Sequence, residues 1–391
     1  MDVSQRVVAH LAQYRGLKKV LLIPPDATRA HSGAGDITWA YYQTLAVTGV
    51  VVDILPALGT HKAMSQEELL AFFGPIPYER FIVHNWREDI VQLGEIPADV
   101  VAEISQGILT DAIPVEVATP LVQGGYDLII SIGQVVPHEV VGMANYTKNI
   151  VVGCGGAGFI SASHVLGAFY GIEKILGQVE TPVRHLFDYA QEHFLATKLP
   201  PLDYLLTVTV DGKIKGLYTG RGRDQFERAA QLSQQLNINY VENPPATWVV
   251  NLPEEEFSST WLGNKAVYRT RMAIPEGGHL IVIAPGVTAF GEDAENDRLI
   301  RKYGYQGLEA IRRLSQTEAD LGANLSAAAH LIHGASEGKF TITYAAPKLG
   351  KAAVEGVGYQ YMDMDKALEI AAQPDVYYVD NPAVGLWMKA V

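Results

Sequence analysis

Short, dense apolar runs alternate along this chain with stretches of helical spacing, and that alternation predicts its architecture. Lys18–Ile23 (KKVLLI) has the length and composition of a buried strand. It follows Val7, Val8, Leu11 and Tyr14 at helix-like spacing, with Gly16 between the two elements. A helix is predicted from about Asp36 to Val47, then Gly49 and a second strand over Val50–Leu55. Ser65 and Glu68 stand at capping-box spacing ahead of the helix QEELLAFF. Arg80–Val83 reads as a short strand. Leu128–Ile132 reads as the central one, because its apolar residues run without alternation, as in a parallel strand covered on both faces. Helices are predicted from His164 to about Leu176 and over Pro182–Thr197, where Pro200-Pro201 stops the second. Leu205–Val210 alternates, Asp211-Gly212 turns the chain, and Lys213–Tyr218 returns it before a helix over Gln225–Leu236.

Asn243-Pro244-Pro245 interrupts this series, and a second one follows. It has a helix holding Trp261 and Lys265, a strand His279–Ala284, a glycine- and acid-rich loop Gly286–Asp297, and helices over Asp297–Ser315 and Ala319–Ile332. A strand Phe340–Ala345, a helix Met364–Ala372 and a strand Val376–Val379 complete it. The expectation is an α/β protein of two α/β domains, residues 1–243 and 244–391, with a cofactor and substrate cleft between them. The last residues are left open to packing back on the first domain.

Composition narrows the partners. Hydrophobic residues at 48% and charged residues at 19% describe an ordinary folded chain, and a net charge of -13 argues against nucleic acid or an anionic membrane. The single cysteine, Cys154, excludes an internal disulfide framework and fits a reducing, cytoplasmic setting. The N-terminal stretch lacks the apolar core of a signal peptide, and no run approaches the roughly 20 apolar residues of a membrane helix.

The candidate chemistry collects where predicted strands give way to loops, the usual place for a site in an α/β fold. Asp26, Thr28, Arg29 and His31 follow the first strand and His61 follows the second. His138 and Lys148 follow the central strand, and His164 comes after a glycine cluster of Gly153, Gly155, Gly156 and Gly158. Singly, each residue reads as well as a surface or packing group; together they suit proton exchange or metal binding, with Arg29 gripping a carboxylate or phosphate. The glycines permit close approach of backbone to a ligand. Their letters fit G-x-G-x-x-G, but no acidic ribose partner follows about 20 residues on. Neither HExxH nor paired-cysteine zinc spacing is present, and there is no G-x-S-x-G elbow.

Taken in order, Asp26-Ala27-Thr28-Arg29, His61, Pro137-His138, Lys148 and His164 resemble the lactate racemase family, the nickel-pincer enzymes. Lys148 lies ten residues beyond His138, and His164 sixteen beyond Lys148, as in the family pattern. The resemblance is strongest from Leu21 to Gly167. It implies a nickel-pincer nucleotide, a pyridinium mononucleotide clasping nickel through a ring carbon and two sulfur-bearing arms. Lys148 would carry it through a thioamide link and His164 would supply a nickel ligand. The resemblance further implies His61 and His138 as the acid–base pair and Asp26 and Thr28 as cofactor-binding residues. Arg29 and Lys265 would bind substrate. The activity implied is racemisation or epimerisation at C2 of a 2-hydroxy acid, with cofactor maturation enzymes as partners.

Departures from the family pattern fall around the pocket. The run before the lysine is Gly142-Met143-Ala144-Asn145-Tyr146-Thr147, Gly153-Cys154 replaces a Pro-Gly, and Leu262 stands where a glutamine is expected. These changes point away from lactate and towards a larger hydroxy acid or a sugar acid. Two other classes remain open on the residues alone: a zinc-dependent hydrolase built from His61, His138 and His164, and a non-catalytic nucleotide or sugar-acid binding protein.

Overall fold

A computed structural model describes residues 3–383 and 385–390. Its contacts divide the chain into two compact units: one runs to Leu166 and resumes over Gly177–Leu236, the other comprises Gly167–Leu176 and the chain from Asn237 onward. Each is an α/β unit, as the alternation of elements predicts.

The first unit is built on a five-stranded sheet in the order Val51–Ile54, Lys19–Ile23, Leu128–Gln134, Leu202–Val210, Lys213–Gly220. All pairs are parallel except the last, a hairpin turned at Asp211-Gly212. Leu22 stands in register with Ile54 on one side and Ile130 on the other. The central strands are buried along their length, which explains their unbroken apolar composition. One face of this sheet packs Val20, Leu22, Ile130 and Leu205 against Val7 of the helix Val3–Leu11 and Ile37 and Tyr41 of the helix Ala34–Ala46. The Ser65–Glu68 capping box forms with both reciprocal hydrogen bonds and starts the helix Gln66–Phe73.

Three local expectations give way. Instead of a strand over Arg80–Val83 there is a single turn, Tyr78–Arg80, and one bridge from Phe81 to Ile54. A two-stranded antiparallel sheet, Ile90–Ile96 with Ile113–Ala118, escaped the pattern because its residues are only half buried and Gly94 interrupts its alternation at a bulge. The helix carrying His164 spans Ala157–Tyr170, so the histidine sits in its interior rather than at its start.

In the second unit a fully parallel sheet runs in the order Gln360–Tyr361, Phe340–Ala345, Gly278–Ile283, Thr247–Asn251, Val376–Val379. Trp248, Leu280, Val282, Phe290 and Tyr344 fill its core. The helix expected over Asp297–Ser315 is two helices, Ala294–Tyr303 and Leu308–Thr317, because Gly304 ends the first and Gly307 precedes the second, both at positive φ. Similarly, Ala319–Gly322 and Leu325–His333 are separate, the second capped by Asn324. Leu386–Lys389 pairs in parallel with Ile238–Val241 within this unit.

Candidate functional site

The site grows from the C-terminal ends of the first unit's strands. Beyond Ile23 the chain passes Pro24-Pro25 and Asp26 caps a turn over Ala27–Ser32. One oxygen of Asp26, Oδ1, accepts the Thr28 backbone N–H at 3.1 Å and the Thr28 hydroxyl. The other, Oδ2, accepts from His61 Nδ1 at 2.6 Å. Burial raises the pKa of the Asp26 carboxyl. The hydrogen bond and charge of His61, with the two Thr28 hydrogen bonds, outweigh it and hold the group below its ordinary value.

His61 reaches this position through Gly59, which adopts φ 56° and donates its N–H to the Gly153 carbonyl at 2.8 Å. That bond ties the second strand's loop to the segment just after Lys148. Unlike Asp26, His61 remains largely exposed, at 59% for its side chain.

After the central strand, Pro137-His138 pairs with Gly142–Met143 in a two-residue hairpin. His138 is buried, and its Nδ1 accepts the Val140 backbone N–H at 3.1 Å while the Glu139 carboxylate lies at 3.7 Å. Burial drives its pKa well below the ordinary value. Glu139 opposes the shift, and the charges of Lys148, Arg29 and His164 reinforce it. The imidazole is therefore neutral at physiological pH.

Asn145 and Tyr146 then take positive φ, 68° and 58°. For a bulky residue such as tyrosine that backbone is strained. Stacking of Tyr146 on Phe226 and its contact with Tyr204 hold it there. The buried Arg184 donates to the carbonyls of Met143 at 2.6 Å and Asn145 at 3.3 Å. The strained pair delivers the chain into the short helix Thr147–Val151, which bears Lys148. Next to it, the Asn149 amide donates to Ile23 O at 3.1 Å and Ser131 Oγ at 2.9 Å, pinning the helix to two strands of the sheet. Burial, then the Arg29 charge, pushes the Lys148 amine down to about 8, with Glu139 and Asp26 opposing.

The glycine cluster proves to serve protein packing. A Cβ at Gly153 would stand 2.4 Å from Asn149 O and 2.7 Å from the Ala57 Cβ, and one at Gly155 would stand 1.9 Å from Val151 O. At Gly156 it would meet the Glu116 carboxylate at 2.2 Å, and at Gly158 the Pro114 ring at 2.6 Å. These glycines let the helix Ala157–Tyr170 approach the strand Ile113–Ala118, and in so doing they place His164. Its Nδ1–H donates to the Ile160 carbonyl at 2.6 Å, which leaves the lone pair on Nε2. Burial lowers its pKa; the Ile160 hydrogen bond opposes this and Lys148 adds to it.

Eight of the nine side chains singled out from sequence, all but Lys265, thus fall in the first unit. Asp26, Thr28 and His61 are joined by hydrogen bonds, and Arg29, Lys148 and His164 lie close enough to His138 for their charges to lower its pKa. Lys265 belongs to the second unit, at the start of the helix Lys265–Thr270, with its ammonium 5.7 Å from the Phe257 ring centre. Sequence reading missed Asn149 and Arg184. Adjacency to Lys148 is the one signal that marks Asn149, and nothing local marks Arg184. Arg221 and Arg223 pair with Asp203 at 2.7 Å and Asp188 at 2.6 Å.

Among the described residues no three His, Cys, Asp or Glu side chains gather as a metal-ligand group. His61, His138 and His164 therefore do not form the zinc triad a hydrolase would need. What the edge of the sheet does assemble is a carboxylate-oriented histidine, a neutral buried histidine, a lysine of lowered basicity and an imidazole presenting Nε2. A cluster of titratable groups with shifted pKa values at the C-terminal edge of a parallel sheet marks a candidate functional site.

Comparison with known proteins narrows the class. Residues 4–172 match the family model of the lactate racemase N-terminal domain. The N-terminal part of the chain is thus similar to the lactate racemase N-terminal domain, in line with the motifs that lie within it. No curated protein matches. Among solved structures, a structural-genomics protein from Thermotoga maritima superposes with a TM-score of 0.87 at 25% identity, covering 99% of this chain and 97% of its own. The lactate racemase apoprotein from Thermoanaerobacterium thermosaccharolyticum superposes with a TM-score of 0.76 at 17% identity, over 99% of this chain and 93% of its own, and so shares the fold. Among the described residues no helix is long and apolar enough to cross a membrane.

Proposed function

We propose that this protein is a 2-hydroxy-acid racemase or epimerase, inverting C2 of its substrate with a nickel-pincer nucleotide carried on Lys148. The observation that supports the reading is the gathering of the Asp26–His61 pair, His138, Lys148 and His164 about the C-terminal ends of the first unit's strands. Lys148, with its pKa pushed down to about 8, keeps a usable fraction of free amine for a thioamide link. His164 has Nδ1–H fixed by a backbone carbonyl and Nε2 left to ligate, the outer-shell arrangement that ligating histidines use. One protein imidazole beside soft sulfur donors suits nickel.

A nickel nucleotide held by Lys148 and His164 would supply a hydride acceptor for C2. The chain's own side chains handle the remainder. His61, oriented by Asp26, and His138 serve the substrate hydroxyl and its proton. Arg29 grips the carboxylate, with Lys265 as a further substrate contact, and Asp26 and Thr28 hold the cofactor-side loop. A larger hydroxy acid or a sugar acid is the proposed substrate, because the run Gly142–Thr147, Gly153-Cys154 and Leu262 all depart from the family pattern. Cofactor maturation enzymes are the partners this reading requires.

Intact-protein mass and metal analysis after co-production with maturation enzymes, followed by chiral analysis of a 2-hydroxy-acid panel, tests the proposal. A covalent adduct on Lys148, nickel, and interconversion of one enantiomeric or epimeric pair support it. An unmodified mass and no interconversion, beside a control racemase matured in the same cells, overturn it.

A further inference from the structure

The two histidines assigned to the hydroxyl are held in opposite tautomers. His61 Nδ1 faces the Asp26 Oδ2 at 2.6 Å. A carboxylate only accepts, so this nitrogen carries the hydrogen and the neutral ring has its lone pair on Nε2. His138 has the reverse arrangement. Its Nδ1 accepts the Val140 backbone N–H at 3.1 Å, so the neutral ring carries its hydrogen on Nε2. The Glu139 carboxylate, at 3.7 Å, is beyond hydrogen-bond length from that nitrogen; its charge favours a second proton on the ring, and burial outweighs it. The remaining charged groups felt by His138, from Arg29, Lys148 and His164, all disfavour a second proton on its ring.

From this geometry we infer a division of labour, which rests on the racemase reading for the identity of the oxygen involved. His61 alone exchanges the hydroxyl proton, and His138 donates a hydrogen bond from Nε2–H to the same oxygen without changing its own protonation. In the forward sense the substrate O–H bond breaks and a His61 Nε2–H bond forms. The electron pair left on oxygen becomes the carbonyl π bond as the C2–H pair leaves as hydride for the acceptor that the nickel nucleotide of the racemase reading would supply, and the reverse sense restores each bond. The resulting imidazolium is stabilised in place by Asp26. A neutral Nε2–H donor steadies the growing carbonyl without any proton leaving it. Protonating His138 would instead require Nδ1–H to face Val140 N–H, two donors against each other in a buried place.

Two measurements on the full chain test this. Ring 15N NMR of histidine-labelled protein without added cofactor, with peaks assigned through His61→Gln and His138→Gln, reads the tautomers directly. The inference expects Nε2–H for His138 throughout about pH 6 to 8, and Nδ1–H for neutral His61. An Nδ1–H or doubly protonated His138 in that range overturns it. In the loaded enzyme, His138→Gln, whose amide still donates, loses no more than about tenfold in turnover, whereas His61→Gln loses about 100-fold or more. Equal losses of about 100-fold or more in both overturn the division of labour. A wild-type enzyme that interconverts no 2-hydroxy acid would refute the racemase reading, while the NMR result would still decide the tautomers.

Discussion

Replacing Asp26 with asparagine isolates one proton's position. The substitution keeps size and keeps an oxygen for the Thr28 backbone N–H, now 3.1 Å from Oδ1. Asparagine caps turns about as well as aspartate, so the turn Ala27–Ser32 should persist with a loss of a few tenths of a kcal/mol. What changes is the group facing His61 Nδ1 at 2.6 Å: an amide N–H replaces the carboxylate oxygen. Two donors cannot face each other, so His61 turns to the Nε2–H tautomer and its lone pair leaves the substrate side. General-base catalysis is worth about 100- to 10,000-fold, or about 3 to 5 kcal/mol of barrier, and turnover should fall by that amount. Chiral analysis of turnover in the loaded enzyme measures the loss, and 15N NMR of His61 reports the tautomer independently. Acid stability supplies a further check. The depressed Asp26 pKa means that its contribution is complete above the ordinary carboxylate value and disappears as the pH falls through the lower folded value. Asp26→Asn should therefore remove part of the wild type's acid sensitivity below about pH 4. Turnover within tenfold of wild type, with His61 still Nδ1–H, would refute the orienting role.

Two other substitutions probe the lysine and its support. Lys148→Met removes the tether and the covalent adduct with it. It should also stabilise the cofactor-free protein at pH 7 by about 1 to 3 kcal/mol, because a lysine lowered to about 8 makes its charged form costly in the fold. Stability of the wild type rises as pH climbs from about 8 towards the unfolded value near 10.5, so the gap between the two proteins should close over that interval. A lower melting temperature for Lys148→Met at pH 7 would contradict the burial argument. Asn149→Ala deletes the hydrogen bonds to Ile23 O and Ser131 Oγ and should cost about 1 to 3 kcal/mol in chemical denaturation. Adduct formation at Lys148, followed by intact mass, should drop with it; unchanged loading would remove Asn149 from the positioning role.

How far the fold was legible follows from what each signal depends on. The buried parallel strands announced themselves because Leu21, Leu22, Ile129 and Ile130 are covered on both faces, so composition alone marks them. Capping at Ser65 was legible because its partner, Glu68, is three residues away. The antiparallel pair over Ile90–Ile96 and Ile113–Ala118 was not, since it is half exposed and its register is set by partners some twenty residues apart. Helix breaks at Gly304 and Gly307 were overlooked for a different reason: a helix tolerates an isolated glycine at modest cost, and only the observed positive φ marks these as ends.

The site divides along the same line. Residues whose chemistry is carried by their own side chains, Asp26, His61, His138, Lys148 and His164, could be picked out by type and order. Their chemical states could not, because they are fixed by burial and by partners, side-chain or backbone, that sequence does not expose. Val140 N–H settles the tautomer of His138, and Ile160 O settles that of His164. The glycines show the converse. Their letters suggested a ligand cradle, whereas the space at Gly156 and Gly158 is claimed by Glu116 and Pro114 from a strand invisible in the pattern. Glycine composition reports that something approaches closely; only the fold says what. Here the close approach seats the helix of His164, so those glycines act on the site through position rather than contact.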